Sequence, residues 1–250
     1  MKKLVVLTCA LATAGIGTAN AQFGNGTRIG VRAGGTYSTI GGKDAKNVGG
    51  PNSGADINYI PGFTAGLSFQ LPLSSDGFWS LAPEILVDRK GFKRSFTVTD
   101  RATLTANGQD ATVDKYQVEG KRILTYIDLP IPVRASTGAT GLYFELGPQV
   151  GYMARSSQDL TVTTKYNTAN ASKDKSVTNT TDAKEDLSSF DIGGLAGLGF
   201  QTEGGLSIGL RYTQGLKSLF DTKDVSAKNE PKAFNRSFAL QLGYLLPLGK

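Results

Sequence analysis

The chain has 250 residues, 39% of them hydrophobic and 19% charged, a composition that excludes both a disordered chain and a multi-helix membrane protein. Its formal charge of +6 falls to +4 if Lys2 and Lys3 are removed with a leader, which is too modest to imply nucleic acid. It contains no histidine and a single cysteine, Cys9, which excludes histidine-dependent catalysis and disulfide stapling.

Residues 1–21 have the organisation of a secretory signal peptide. Lys2 and Lys3 form a basic start, Leu4 to Ala14 an apolar stretch, and Ala19-Asn20-Ala21 a small-x-small cleavage site. Cleavage after Ala21 is expected, leaving 22–250 as one domain that begins at Gln22. Cys9 lies inside this leader, and Val6-Leu7-Thr8 before it is not the small-residue context of a lipoprotein acylation site.

Downstream, no stretch approaches the roughly 20 consecutive apolar residues of a spanning helix. Short segments instead alternate with period two, the pattern of strands with unlike faces. In chain order they begin with 28–37, where Ile29, Val31 and Ala33 alternate with Arg28, Gly30 and Arg32. The next, 60–72, sets Phe63, Ala65, Leu67, Phe69 and Leu71 against Thr64, Gly66, Ser68 and Gln70. Residues 79–88 set Trp79, Leu81, Pro83, Ile85 and Val87 against Ser80, Ala82, Glu84 and Asp88. In 122–135, Ile127, Leu129, Ile131 and Val133 oppose Asp128, Pro130, Pro132 and Arg134, the prolines predicting locally broken ladders. In 142–153, Leu142, Phe144, Leu146 and Val150 oppose Glu145, Gly147, Gln149 and Gly151. The last three, 188–201, 206–216 and 235–248, carry apolar faces built on Ile192, Leu198 and Phe200, on Leu206, Ile208 and Leu210, and on Phe238, Leu240 and Leu242.

Eight strands are joined by connections of alternating length. Long polar stretches occupy about 38–58, 93–121, 154–187 and 217–233, and short turns about 73–78, 136–141 and 202–205. Export, period-two strands and this alternation together predict an all-β fold: an eight-stranded antiparallel up-and-down transmembrane β-barrel in the outer membrane of a Gram-negative bacterium. Four long loops then face outside, and the short turns and both termini face the periplasm. A soluble lipocalin-like barrel also alternates, but it places apolar residues inside and lacks the asymmetry of connections. Phe69, Phe78, Trp79, Tyr143, Tyr152, Phe190, Tyr212 and Tyr244 lie near strand ends and are candidates for interfacial girdles.

Several short motifs, in order along the chain, resemble the porin-like or PorT-like outer-membrane β-barrels of Bacteroidetes. They are Gly30-Val31-Arg32-Ala33-Gly34, Pro83-Glu84-Ile85-Leu86 with Lys90-Gly91, Tyr126-Ile127-Asp128-Leu129-Pro130-Ile131-Pro132, Gly147-Pro148-Gln149-Val150-Gly151-Tyr152 and Arg211-Tyr212-Thr213-Gln214-Gly215-Leu216. The resemblance spans almost all of 22–250 and implies a barrel; "porin" there names an architecture. The chain departs from the common pattern at its end, Tyr244-Leu245-Leu246-Pro247-Leu248-Gly249-Lys250, where many bacterial barrels finish in an aromatic residue.

The charges of the polar faces form the candidate site. Glu84, Asp88, Asp128, Glu145 and Asp191 share the predicted lumen with Arg32, Arg134 and Arg211. Carboxylates alone can support acid–base catalysis, yet opposite charges in a lumen just wide enough for side chains need one another to offset desolvation. An ion-pair network, a filled lumen and no enzymatic activity are the expectation. Gly193-Gly194-Leu195-Ala196-Gly197-Leu198-Gly199 lacks the Lys-Ser/Thr of a phosphate loop and reads as strand, so no cofactor and no metal is expected. The loop 154–187 holds five basic and five acidic residues and predicts a solvated surface. Expected partners are outer-membrane lipid and lipopolysaccharide, with surface or secretion-system proteins at the loops. Two functions remain open: a structural or surface-interaction scaffold, and a narrow porin-like channel or transporter for small solutes.

Overall fold

A computed structural model describes residues 26–47, 55–106, 108–182, 184, 187–221 and 231–248. The expected leader, its cleavage point and Gln22 lie outside the described residues.

Eleven strands build one antiparallel sheet: β1 (Arg28–Gly41), β2 (Asp56–Pro72), β3 (Trp79–Leu81), β4 (Glu84–Val98), β5 (Val113–Pro130), β6 (Val133–Ser136), β7 (Gly141–Tyr166), β8 (Lys175–Thr181), β9 (Phe190–Gln201), β10 (Leu206–Gly215) and β11 (Phe234–Pro247). The sheet closes because β1 pairs with β11 on one side, Val31 opposite Tyr244, and with β2 on the other, Val31 opposite Leu67. A closed ladder leaves no edge, the condition for crossing lipid with strands.

The ring has eight strands. β3 is the continuation of β4 across Ala82-Pro83, and β6 that of β5 across Ile131-Pro132. Proline cannot donate to the ladder, so the hydrogen bonding is interrupted where the sequence places prolines. Neighbouring backbone spans each break: Phe69 N donates to Pro83 O and Ile131 N to Pro148 O, both at 2.9 Å.

Alternation sorts the side chains into an apolar outside and a polar inside. Ile85 and Val87 of β4 are half exposed while Glu84 and Asp88 are buried. Leu206, Ile208 and Leu210 of β10 are likewise exposed and Ser207 and Arg211 buried. Glycines give the inward side chains room. A Cβ at Gly197 would stand 2.7 Å from Glu145 Oε1, one at Gly151 would collide with Asp128 Oδ1, and those at Gly199 and Gly209 with the Tyr143 hydroxyl.

The two ends differ, as the connection lengths predict, but the long connections are more ordered than expected. Much of 93–121 is strand: β4 runs on to Val98 and β5 starts at Val113, with the helix α1 (Arg101–Ala106) between them. Asp100 starts that helix, its Oδ2 accepting from Thr103 N at 2.9 Å and Thr103 Oγ1 at 2.8 Å, and these bonds hold its carboxyl below the ordinary aspartate range. The predicted loop 154–187 contains a hairpin in which β7 continues to Tyr166 and returns as β8, Val162 opposite Val177. Only Leu160, Val162 and Val177 mark the apolar face there, the rest of the alternation being in Thr and Ser, so the hydrophobic signal is weak. β4, β5, β7 and β8 therefore extend past the ring as a blade, one face of which carries the row Phe96, Val118, Val162 and Val177 and the other Thr, Ser and charge.

The turn between β9 and β10 depends on Gly205, which adopts φ +87° with Leu245 O against its α-carbon. A side chain there is strained in conformation and blocked in space. Gly205→Ala is expected to lower stability by about 1–3 kcal/mol, read as an earlier midpoint of urea unfolding from vesicles; an unchanged midpoint contradicts this account of the turn.

Candidate functional site: a charged lumen under an apolar cap

All eight charged residues singled out in the sequence point inward, six with side chains 3% exposed or less and Asp88 and Asp191 at 12% and 10%. The structure divides them into two layers.

Nearer the short-turn end, Arg211 of β10 bridges two glutamates. Its Nε donates to Glu145 Oε1 at 2.8 Å and its Nη1 to Glu84 Oε2 at 2.7 Å. Arg134 of β6 donates to Glu145 Oε2 at 3.1 Å and to Gln201 Oε1 at 3.1 Å, and its guanidinium lies 4.2 Å over the Tyr143 ring. Arg32 of β1 donates to Gln241 Oε1 at 3.3 Å. Its Nε also stands 3.1 Å from Glu84 Oε1, a charge contact without the angle of a hydrogen bond. Three guanidiniums thus hold two carboxylates, with five strands contributing.

The second layer centres on Lys90 of β4, which was not among the sequence candidates. Its ammonium donates to Asp128 Oδ2 at 3.0 Å, lies 3.7 Å from Asp88 Oδ2 and 3.6 Å from Asp191 Oδ2, and sits 4.3 Å over the Tyr126 ring. Gln149 donates to Asp128 Oδ2 at 2.8 Å and Asn235 to Asp191 Oδ2 at 2.8 Å. Lys90 shares its parity with Glu84 and Asp88, so carrying the alternation of 79–88 two residues further finds it. Tyr143, expected in a girdle, is 2% exposed and faces inward, because its parity is that of Glu145.

Above Lys90 the lumen turns apolar. Ile40, Phe92, Leu124, Tyr126 and Met153 of the barrel pack with Ala45, Leu187, Leu219, Phe220 and Ala233 from the long connections. The loop ends are tied down by Ser188 N to Leu219 O and Leu219 N to Ala233 O, both 2.8 Å. Connections read as long polar stretches therefore fold inward on a few apolar residues, among them Leu187 of the loop read as solvated.

The charges of this arrangement are paired with one another, while Arg32 Nε, Asp88 Oδ1, Asp128 Oδ1, Arg134 Nε and Asp191 Oδ1 make no hydrogen bond. Lys90 occupies the place among the aspartates that a cation would take, and among the described residues no group of three or more Asp, Glu, His or Cys has metal-binding geometry.

A family model described as "Outer membrane protein beta-barrel domain" matches residues 19–221. The chain belongs to that family. Its short turns are accordingly periplasmic and its long loops extracellular. No curated protein sequence matches it. Among solved structures, Ail, the attachment invasion locus protein of Yersinia pestis, is 13% identical, with 88% of this chain and 98% of that one covered at a TM-score of 0.40. Neisserial surface protein A is 8% identical, covering 86% and 96% at 0.34. OprG from Pseudomonas aeruginosa is 11% identical, covering 90% and 98% at 0.30. These likenesses are too distant to carry function, and membership rests on the family match.

In this outer-membrane barrel, removing one member of the buried network leaves its partners charged and dry, at a cost of about 3–5 kcal/mol. Arg211→Ala and Lys90→Met are each expected to lower the unfolding free energy by that order. Lys93→Met, which breaks an exposed pair with Glu119 at 3.0 Å, is expected to change it by less than about 0.5 kcal/mol. Equal effects at Lys90 and Lys93 in one urea titration contradict the network.

Proposed function

We propose that this outer-membrane barrel is a sealed, non-enzymatic scaffold that presents its extracellular loops and blade to other surface components or to a secretion apparatus. The observation that carries the reading is the burial of the lumen charges: Arg134 and Glu84 are 0% exposed, Asp128 1%, and Arg32, Lys90 and Arg211 3%. A solute path has to pass both charged layers and the apolar cap around Leu219 and Phe220.

The blade supports the same reading. All seven residues of β8 are exposed, and the cross-strand pairs Thr161–Thr178 and Thr163–Ser176 present hydroxyls at 2.9 and 3.1 Å. A hydroxyl-bearing sheet face above the membrane is a surface for contact. The narrow-channel alternative has less to support it, because buried pairs at hydrogen-bond distance leave little room for water.

We further infer that the chain is of the porin-like, PorT-like Bacteroidetes type, on the motifs around Pro83-Glu84 and Tyr126-Ile127-Asp128, and that it is exported with cleavage after Ala21. N-terminal sequencing of the protein from outer membranes is expected to begin at Gln22; retention of Met1 refutes cleavage.

The wild-type protein in planar bilayers is expected to show no conductance steps, and its proteoliposomes no swelling in small sugars. Arg211→Ala, which opens the lower layer, is expected to leak intermittently. Sustained ion flux through the wild type overturns the sealed-scaffold reading.

A further inference from the structure

Around most of the barrel the extracellular boundary of the apolar exterior is aromatic. Tyr37 stacks on Tyr59 with ring centroids 4.9 Å apart, Tyr212 meets Phe238 at 4.9 Å and Tyr152 meets Phe190 at 5.5 Å. Such rings settle at the level of lipid headgroups.

On the β4, β5 and β7 sector the ladder changes character within two residues. Val87, Ile127 and Tyr152 form one outward row, paired Val87 to Ile127 and Ile127 to Tyr152. The next outward row, about 7 Å nearer the exterior, is Arg89, Thr125 and Arg155, paired in the same order. Arg89 and Arg155 therefore flank Thr125 across two strand spacings, about 10 Å apart along the row.

Between them lies a cleft of about 250 Å³ lined by Arg89, Ile123, Thr125, Arg155 and Ser157. Its lining offers two guanidiniums and two hydroxyls, all donors. Lys184 lies 5.8 Å over the Tyr152 ring in the row below and donates to Met153 O at 3.0 Å.

Of the nearby acids, Glu119 and Asp159 are engaged elsewhere, and Asp182 lies at the cleft itself. Glu119 pairs with Lys93, and Asp159 accepts from Thr180. Asp182 pairs with Arg155 at 2.6 Å and also accepts from the Ser157 hydroxyl, but both charged side chains are more than half exposed, so the pair contributes little and a phosphate can displace the carboxylate. No ion pair to an acid engages Arg89 among the described residues.

We propose that this cleft binds a phosphorylated lipid headgroup of the outer leaflet, that of lipid A in lipopolysaccharide. Its phosphate enters between Arg89 and Arg155 with Thr125 and Ser157 donating to it, while its acyl chains lie over Val87, Ile127 and Tyr152. The geometry supports a membrane lipid over a soluble anion because the donors face outward from the barrel wall, one row above the apolar belt. Guanidinium is the group suited to bidentate phosphate binding. This inference is independent of whether the lumen conducts.

The test uses the full-length mature protein in detergent micelles, folded state confirmed by its resistance to unfolding on unheated gels. Binding of bisphosphoryl lipid A is measured by native mass spectrometry. Arg89→Gln with Arg155→Gln is expected to weaken binding at least tenfold, about 1.4 kcal/mol, whereas Lys165→Gln, further out on the blade, leaves it unchanged. Enzymatically dephosphorylated lipid A is expected to bind wild type no better than bisphosphoryl lipid A binds the double variant. Equal binding by the double variant, or of the dephosphorylated lipid by wild type, overturns the site. Tighter binding of inorganic pyrophosphate or of a sulfated polysaccharide than of lipid A overturns the lipid assignment.

Discussion

Arg211 is the interaction on which the interior depends. A charge placed inside a barrel surrounded by hydrocarbon has lost its water on every side, and only another charge at hydrogen-bond distance offsets that loss. Arg211 reaches Glu84 on β4 and Glu145 on β7 from β10, so one guanidinium ties together strands far apart in the ring. Arg32 and Arg134 hold the same two carboxylates from β1 and β6. The network thereby specifies a mutual register among strands whose outer faces meet only lipid.

The charges are not distributed evenly along the axis. The periplasmic layer sets three arginines against two glutamates, whereas the upper layer sets one lysine against three aspartates. The glycine content follows from this interior. Gly151, Gly197, Gly199 and Gly209 vacate space that the aspartate, glutamate and tyrosine side chains fill, so the barrel is narrowed by functional groups rather than by aliphatic packing. What remains of an ordinary hydrophobic core is small and lies at the extracellular mouth, where Leu219 and Phe220 turn in.

The exterior is organised by a second constraint, the thickness of the apolar belt. Aliphatics cover its middle, Phe78 and Trp79 mark the periplasmic side in an edge-on pair 5.1 Å apart, and tyrosines with Arg89 and Arg155 mark the other. Above that level the strands of the blade keep their pairing but exchange aliphatics for threonine, serine and charge. The ladder continues into water, where β8 pairs with β7 alone and leaves an edge, and the side chains record where the membrane ends.

Period two and the alternating connection lengths were enough, in the sequence alone, to determine the closed eight-stranded barrel and the inward direction of Arg32, Glu84, Asp88, Asp128, Arg134, Glu145, Asp191 and Arg211. Parity is a local property of the pleat, so it survives without knowledge of partners. Which carboxylate meets which cation was decided by register and shear, which place Arg211 beside Glu84 across the barrel, 127 residues away in sequence. The same holds for Lys90, for Tyr143 turned onto Arg134, and for the loop residues Leu187, Leu219 and Phe220 in the cap. The blade too became visible only in the fold, because its few aliphatics, such as Leu160, Val162 and Val177, give hydrophobic alternation only a weak signal among Thr and Ser. A chain in lipid declares its faces in its composition, but the pairing of buried charges is a property of the closed ring.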